Sequence, residues 1–329
     1  MERGPIFVAG LERSGTSLIY ALLASHPSIA MTRRTNLWTH FYDQYGDLDD
    51  DANLDRCLAT MARYKRLVVL APDFVRLREQ FVAGERTYAR LFDLFERQHA
   101  QRLGRPRWGD KSLHTERWAE PILDAYAGAR ILHMIRDPRD RYSSAQTRWK
   151  LRRGGIGGGT EEWLGSARLA MRNEQRHPDR YRAVRYEDLA RHPEETVRAM
   201  CAFIDEPYAP EMLAMEGAPR LLEQGSNSSY GTRPAGVIST DSIGKFRSVL
   251  TPRQIAFMQH RAASEMAHFG YEQEPVRLSL ADGVGYRLVT APLEAGRSIA
   301  WRTRDQRLHR AGRTVPSYRL VDDAAAGVR

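Results

Sequence analysis

The stretch that most limits what this chain can become is Gly10-Leu11-Glu12-Arg13-Ser14-Gly15-Thr16-Ser17, set between an apolar run and a helical repeat. The preceding Pro5-Ile6-Phe7-Val8-Ala9-Gly10 is short, apolar and ends on glycine, which predicts a buried parallel strand. After it, Leu18, Ile19, Leu22 and Leu23 recur at helical spacing until His26-Pro27 stops the helix. A tight loop between strand end and helix start gathers unpaired backbone N–H groups where the helix dipole favours an anion. Gly15 lets the backbone approach a phosphate closely, and Ser14, Thr16 and Ser17 add hydroxyl donors. Arg13 adds a planar charged fork matched to phosphate or sulfonate oxygens. The loop nearly fits G-x-x-x-x-G-K-[ST], but Thr16 stands where the lysine belongs, so a kinase or ATPase would lack its usual phosphate cradle.

The rest of the chain repeats the strand-then-helix theme. Residues 129–135 form a second interior strand, 107–111 a shorter one and 181–186 another; helices are expected near 54–64, 88–103, 116–126, 138–150, 161–176, 193–204 and 251–269. Residues 28–50 read as a mobile loop and the glycine-rich 154–159 as a flexible one. The expected fold is α/β: a P-loop-like parallel sheet flanked by helices over residues 1–272, followed by a small β-rich C-terminal appendage, 273–329. The appendage is read from Val276-Arg277-Leu278-Ser279-Leu280, Tyr286-Arg287-Leu288-Val289 and Ser298-Ile299-Ala300-Trp301 as short strands between glycine turns.

A second anion site follows the strand at 131–135. Arg136 stands where that strand ends, a usual place for ligand contacts in open α/β sheets, and Ser144 lies two turns along the next helix. A formal charge of +9 fits anionic ligands in general. Lysine is scarce, only Lys65, Lys111, Lys150 and Lys245, so a lysine beside a motif carries weight. Cys57 and Cys201 read as buried thiols, and neither they nor His177 and His192 have metal-ligand spacing. No run approaches the roughly 20 apolar residues that span a bilayer, and no signal peptide is recognisable, so a cytoplasmic location is expected.

Together, PIFVAGLERSGTSLIYALLASHP and ILHMIRDPRDRYSSAQTRW resemble the two phosphate-binding elements of the PAPS-dependent sulfotransferases, the first in the arginine (RSGT) form of tyrosylprotein and many bacterial members. The resemblance extends over about residues 5–270. It implies that Arg13, Ser14, Gly15, Thr16 and Ser17 hold the 5′-phosphosulfate and that Arg136 and Ser144 hold the 3′-phosphate. Trp108-Gly109-Asp110-Lys111-Ser112 is similar to the segment whose lysine points at the transferred group. VRYEDL followed by His192-Pro193 makes Tyr186 a candidate adenine contact, and Ser228 and Lys245 fall in segments similar to the C-terminal cofactor clamp.

The implied reaction is sulfuryl transfer from PAPS to a hydroxyl or amine of a small-molecule, carbohydrate or lipid acceptor, releasing PAP, with no metal and no nucleic-acid partner. Arg13 and Lys111 would stabilise the leaving group, and a general base is needed. Tyrosylprotein sulfotransferases carry a glutamate soon after the first helix; this chain has Met31-Thr32-Arg33-Arg34-Thr35-Asn36 there. His40 is the first replacement, for its near-neutral pKa, with Asp43, Asp110 and His114 as further candidates and Arg33 and Arg34 as candidates for an acidic acceptor. The competing readings are a P-loop-type nucleotide kinase or NTPase, and a non-catalytic nucleotide- or nucleic-acid-binding module.

Overall fold

The computed structural model describes residues 3–148, 154–216, 236–310 and 315–321. Five strands, β1 (Ile6–Gly10), β2 (Ile29–Arg33), β3 (Arg107–Lys111), β4 (Arg130–Ile135) and β5 (Tyr181–Arg185), form one sheet in the order β2-β3-β1-β4-β5. Every pairing is parallel. Chain connections leave β1 in both directions, so its C-terminal end is the switch point where open α/β sheets bind ligands. The helix α1 (Thr16–Ala24) starts there.

Alternation along β1 divides the interior. Phe7 and Ala9 face a cluster with Trp108, Ile131 and the helices between residues 51 and 102; Ile6 and Val8 face α1, Leu132, Met134 and the helices after β5. Both faces are buried, which is why the strand reads as a continuous apolar run. No helix among the described residues is long and apolar enough to cross a membrane.

Three expectations need correction. Residues 28–50 contain an edge strand, β2, and a helical turn, Leu37–His40. Thr32 breaks the apolar pattern because its hydroxyl lies among the buried Glu96 and Asp110 carboxyls, and Arg33 because it stands beside Lys111. The glycines at 154–159 open the helix Gly155–Arg176. They mark close approach, since a Cβ on Gly157 would lie 2.0 Å from the Glu294 carbonyl oxygen. The C-terminal region is helical, not β-rich: Leu280–Gly285, a π turn Tyr286–Thr290 and Ala291–Arg310. Pro292 falls in the first turn of the last helix, and Ala, Leu, Gln and Arg, all good helix formers, fill most of it.

Candidate active site

The loop after β1 is wound through left-handed conformations: Gly10 at φ 122°, Arg13 at 70° and Gly15 at 97°. At Gly15 only glycine fits, because a Cβ would meet the Tyr186 ring at 2.6 Å. Among the described residues no side chain caps α1, and the Leu18 amide turns back to the Gly15 carbonyl at 2.9 Å, so the start of the helix offers its leading amides to a ligand. Ser14 and Thr16 are buried and Ser17 is half-buried at this turn.

The second element closes on the first. Arg13 Nε donates to Ser144 Oγ at 3.0 Å. Arg136 donates through Nη1 to the Arg13 carbonyl at 3.0 Å and through Nη2 to the Ser242 carbonyl at 2.7 Å. Its Nε is buried without a hydrogen-bond partner. The Arg136 guanidinium lies 4.5 Å from the centre of the Tyr186 ring, whose hydroxyl reaches Ser242 Oγ at 3.4 Å. Tyr186 is therefore wedged between the Gly15 turn and Arg136. Lys245 is exposed on the segment that contains Ser242; Ser228 lies outside the described residues.

Lys111 ends β3 and is 1% exposed. Arg33 of β2 is its register partner, and the Arg34 amide donates to the Lys111 carbonyl at 2.9 Å. Burial, then the charges of Arg34 and Arg33, lower the Lys111 pKa to about 7. Burial and Arg34 likewise bring Arg33 to about 10. Burial with Arg66 and Arg319 lowers Arg34, Glu12 opposing, and the Arg34 Nε is buried without a hydrogen-bond partner. The surroundings of Lys111 are thus crowded with cations.

The four candidate bases separate in space. Asp110 is inside the protein, accepting from Thr32 Oγ1 at 3.1 Å, and burial pushes its carboxyl up. Asp43 lines a cavity of about 1260 Å³ with Arg3, Gly4 and Ala127, beside the starts of β1 and β4 and at the other end of the sheet. His40 is 7% exposed, and its Nε2 accepts from Arg319 Nη1 at 3.2 Å. His114 groups with Glu12 and Glu162, ring nitrogen and carboxylate oxygens all within 4.8 Å of one another, and its Nδ1 is buried without a hydrogen-bond partner. These three are ligand-type groups that no sequence spacing revealed, although Glu162 is also held at 2.8 Å by Arg141.

Sequence reasoning missed the residues that brace the loop. Glu116 accepts from the Gly10 amide at 3.1 Å and from Ser166 Oγ at 2.8 Å, and Ser166 Oγ lies 3.0 Å from His133 Nε2. Burial pushes the Glu116 carboxyl up, but the His133 and His114 imidazoles and its hydrogen bonds outweigh that and hold it low. Arg141 donates to the Glu12 carbonyl at 3.1 Å. Asp140 accepts from the Gly244 and Phe246 amides at 2.6 and 2.9 Å, tying the Lys245 segment to the second element. Of these, only His133 stood out in the sequence, as a polar residue inside the apolar run Ile131–Ile135.

The sulfotransferase family model matches residues 5–210. The fold is similar to the sulfotransferase domain of the Synechococcus PCC 7002 olefin synthase, with a TM-score of 0.59 at 20% identity over 83% of this chain and 98% of that one. It is also similar to the sulfotransferase domain from the curacin biosynthetic pathway, with a TM-score of 0.53 at 18% identity over 83% and 99% of the two chains. At these identities the likeness is one of fold. No curated protein matches the sequence.

Proposed function

The chain belongs to the sulfotransferase family, and on that premise we propose that it moves the sulfuryl group of PAPS to a hydroxyl or amine acceptor and releases PAP. The observation that carries the donor assignment is the junction of two anion sites: the β1 loop with Arg13, and Arg136 with Ser144, in direct contact through Arg13 and Ser144. A 3′-phosphate and a 5′-phosphosulfate on one nucleotide fit that pair, and the buried Arg136 Nε is a donor awaiting an acceptor. The missing Walker lysine at Thr16 and the family match disfavour the kinase reading.

PAPS supplies an activated sulfuryl group on a phosphosulfate anhydride. Arg13 and the first-turn amides of α1 bind the phosphosulfate, while Arg136 and Ser144 hold the 3′-phosphate. Lys111, recharged beside these anions, neutralises the bridging oxygen as its bond to sulfur breaks and the acceptor's bond forms. His114 takes the acceptor's proton, and Glu12 and Glu162 stabilise the resulting imidazolium. His40, facing Arg319, lies on the acceptor side. With Arg34, Arg66 and Arg319 grouped there, the acceptor carries an anionic group of its own, on a small molecule, carbohydrate or lipid. No step requires a metal.

Calorimetric titration with PAP, with ADP and ATP as controls, tests the donor assignment. Tight PAP binding with much weaker ADP and ATP binding is expected. A folded protein that ignores PAP, or binds ATP as well, overturns it.

A further inference from the structure

The two buried side chains of the last helix among the described residues are polar. Helix Ala291–Arg310 lies along helix Gly155–Arg176 and presents Glu294 and Ser298 to it, 6% and 1% exposed. Glu294 Oε2 accepts from the Gly157 amide at 2.8 Å, and Ser298 Oγ donates to the Gly157 carbonyl at 3.0 Å. Arg302 Nε donates to Glu161 Oε1 at 2.7 Å in the same seam. Tyr286 packs inward, but most of the large aliphatic side chains are left outside: Leu280 is 93% exposed, Val284 57%, Leu288 73%, Val289 61%, Leu293 50% and Ile299 64%. With Leu308, these are seven of the twelve large apolar side chains that stand exposed among the described residues, so the exposure is concentrated rather than scattered.

The charge on this face has one sign. Arg287, Arg304 and Arg307 are exposed. The acids of the segment are engaged elsewhere: Asp282 with Arg253 at 2.7 Å, Asp305 with Arg117 at 2.6 Å, and Glu294 in the seam just described. A surface of exposed leucine, valine and isoleucine interleaved with arginine matches the boundary between acyl chains and anionic headgroups. A second copy of the same face would bring arginine against arginine, and a nucleic acid would leave the apolar side chains in water.

We propose that the 280–308 face docks this protein on an anionic lipid surface, with Leu288, Leu293 and Ile299 entering the headgroup layer and Arg287, Arg304 and Arg307 meeting lipid phosphates. The helices lie on the bilayer and do not cross it. None of these side chains is assigned a contact with PAP, so the inference stands apart from the donor assignment.

Vesicle flotation with the full chain tests it, comparing phosphatidylcholine vesicles with vesicles that also contain phosphatidylglycerol. About tenfold more protein is expected on the anionic vesicles, with most of it released by high salt. The pair Leu288→Ser with Ile299→Ser, and separately Arg304→Glu with Arg307→Glu, should each lose that binding while keeping the circular dichroism spectrum and thermal melt of the parent. Equal recovery on neutral and anionic vesicles, or none on either, overturns the proposal. So does a dimer in light scattering that the Leu288→Ser/Ile299→Ser pair splits, which would assign the face to a second copy. Binding to single-stranded DNA in preference to vesicles would overturn it as well.

Discussion

Arg13 Nε and Ser144 Oγ meet at 3.0 Å, 131 residues apart in the chain. Each belongs to a different one of the two proposed anion sites, so the two halves of the proposed donor pocket are in direct contact. On the proposed assignment, Arg13 is the group that follows charge at the phosphosulfate. Arg13→Ala should lower kcat by about a hundredfold to a thousandfold, as loss of a preorganised donor does. Ser144→Ala, which removes the acceptor of Arg13 Nε and the proposed 3′-phosphate contact but leaves the Arg13 charge in place, should raise the Kd for PAP with a smaller effect on kcat. Steady-state kinetics beside calorimetry separate the two, and equal effects on kcat would dissolve the distinction.

Arg136 should discriminate by the 3′-phosphate. Arg136→Gln is expected to weaken PAP binding by about ten- to a hundredfold, the range for a lost charged hydrogen bond, and to leave AMP binding nearly unchanged. Equal weakening of both nucleotides would move Arg136 out of the 3′ site.

Lys111 sets a proton linkage. Its pKa in the ligand-free protein is about 7, and a bound nucleotide polyanion must raise it. The complex then holds more protons than the free protein above about pH 7, so binding takes up protons there and weakens as pH rises. Calorimetry at pH 8 in buffers of different ionisation enthalpy should report the uptake, and Lys111→Met should abolish it. An uptake that persists in the variant assigns the proton to another group.

The two histidines should behave differently. His114→Ala is expected to lower kcat by about a hundredfold to ten-thousandfold, with PAP affinity intact. His40→Ala should act mainly on the KM of the acceptor, since its Nε2 faces Arg319. The reverse pattern would return the base to His40.

Glu116 braces Gly10, so Glu116→Gln should destabilise the protein by about 1–3 kcal/mol, measured by urea unfolding at neutral pH. The folded carboxyl is held below its ordinary 4.5, so its stabilising effect is complete above that value and is lost as pH falls through the folded value. The variant should therefore lose less stability on acidification than the parent. Parallel acid profiles would show that Glu116 is not the group responsible.

Local order was legible in the residues. The apolar run at β1, the glycine and arginine of its loop and the helical spacing of α1 specify a strand, an anion loop and a helix, because each depends on neighbours a few residues away. The same holds for β4 and Arg136. Lys111 was found by resemblance and by the rarity of lysine in this chain.

Distance in sequence hid the rest. β2 was read as loop because the neighbours of its polar end, Glu96 and Asp110 for Thr32 and Lys111 for Arg33, lie far along the chain. The glycines before Trp163 read as mobile because Glu294, which crosses them, lies 137 residues from Gly157. His114 gains its partners from the β1 loop and from helix Gly155–Arg176, and Arg319 reaches His40 across 279 residues. A strand, a helix start or an anion loop is set by short-range sterics and hydrogen bonding, which the sequence alone contains. Which carboxylate meets which imidazole, which cations are buried together and which face of a helix is left outside depend on how elements pack, and only the tertiary structure decided them.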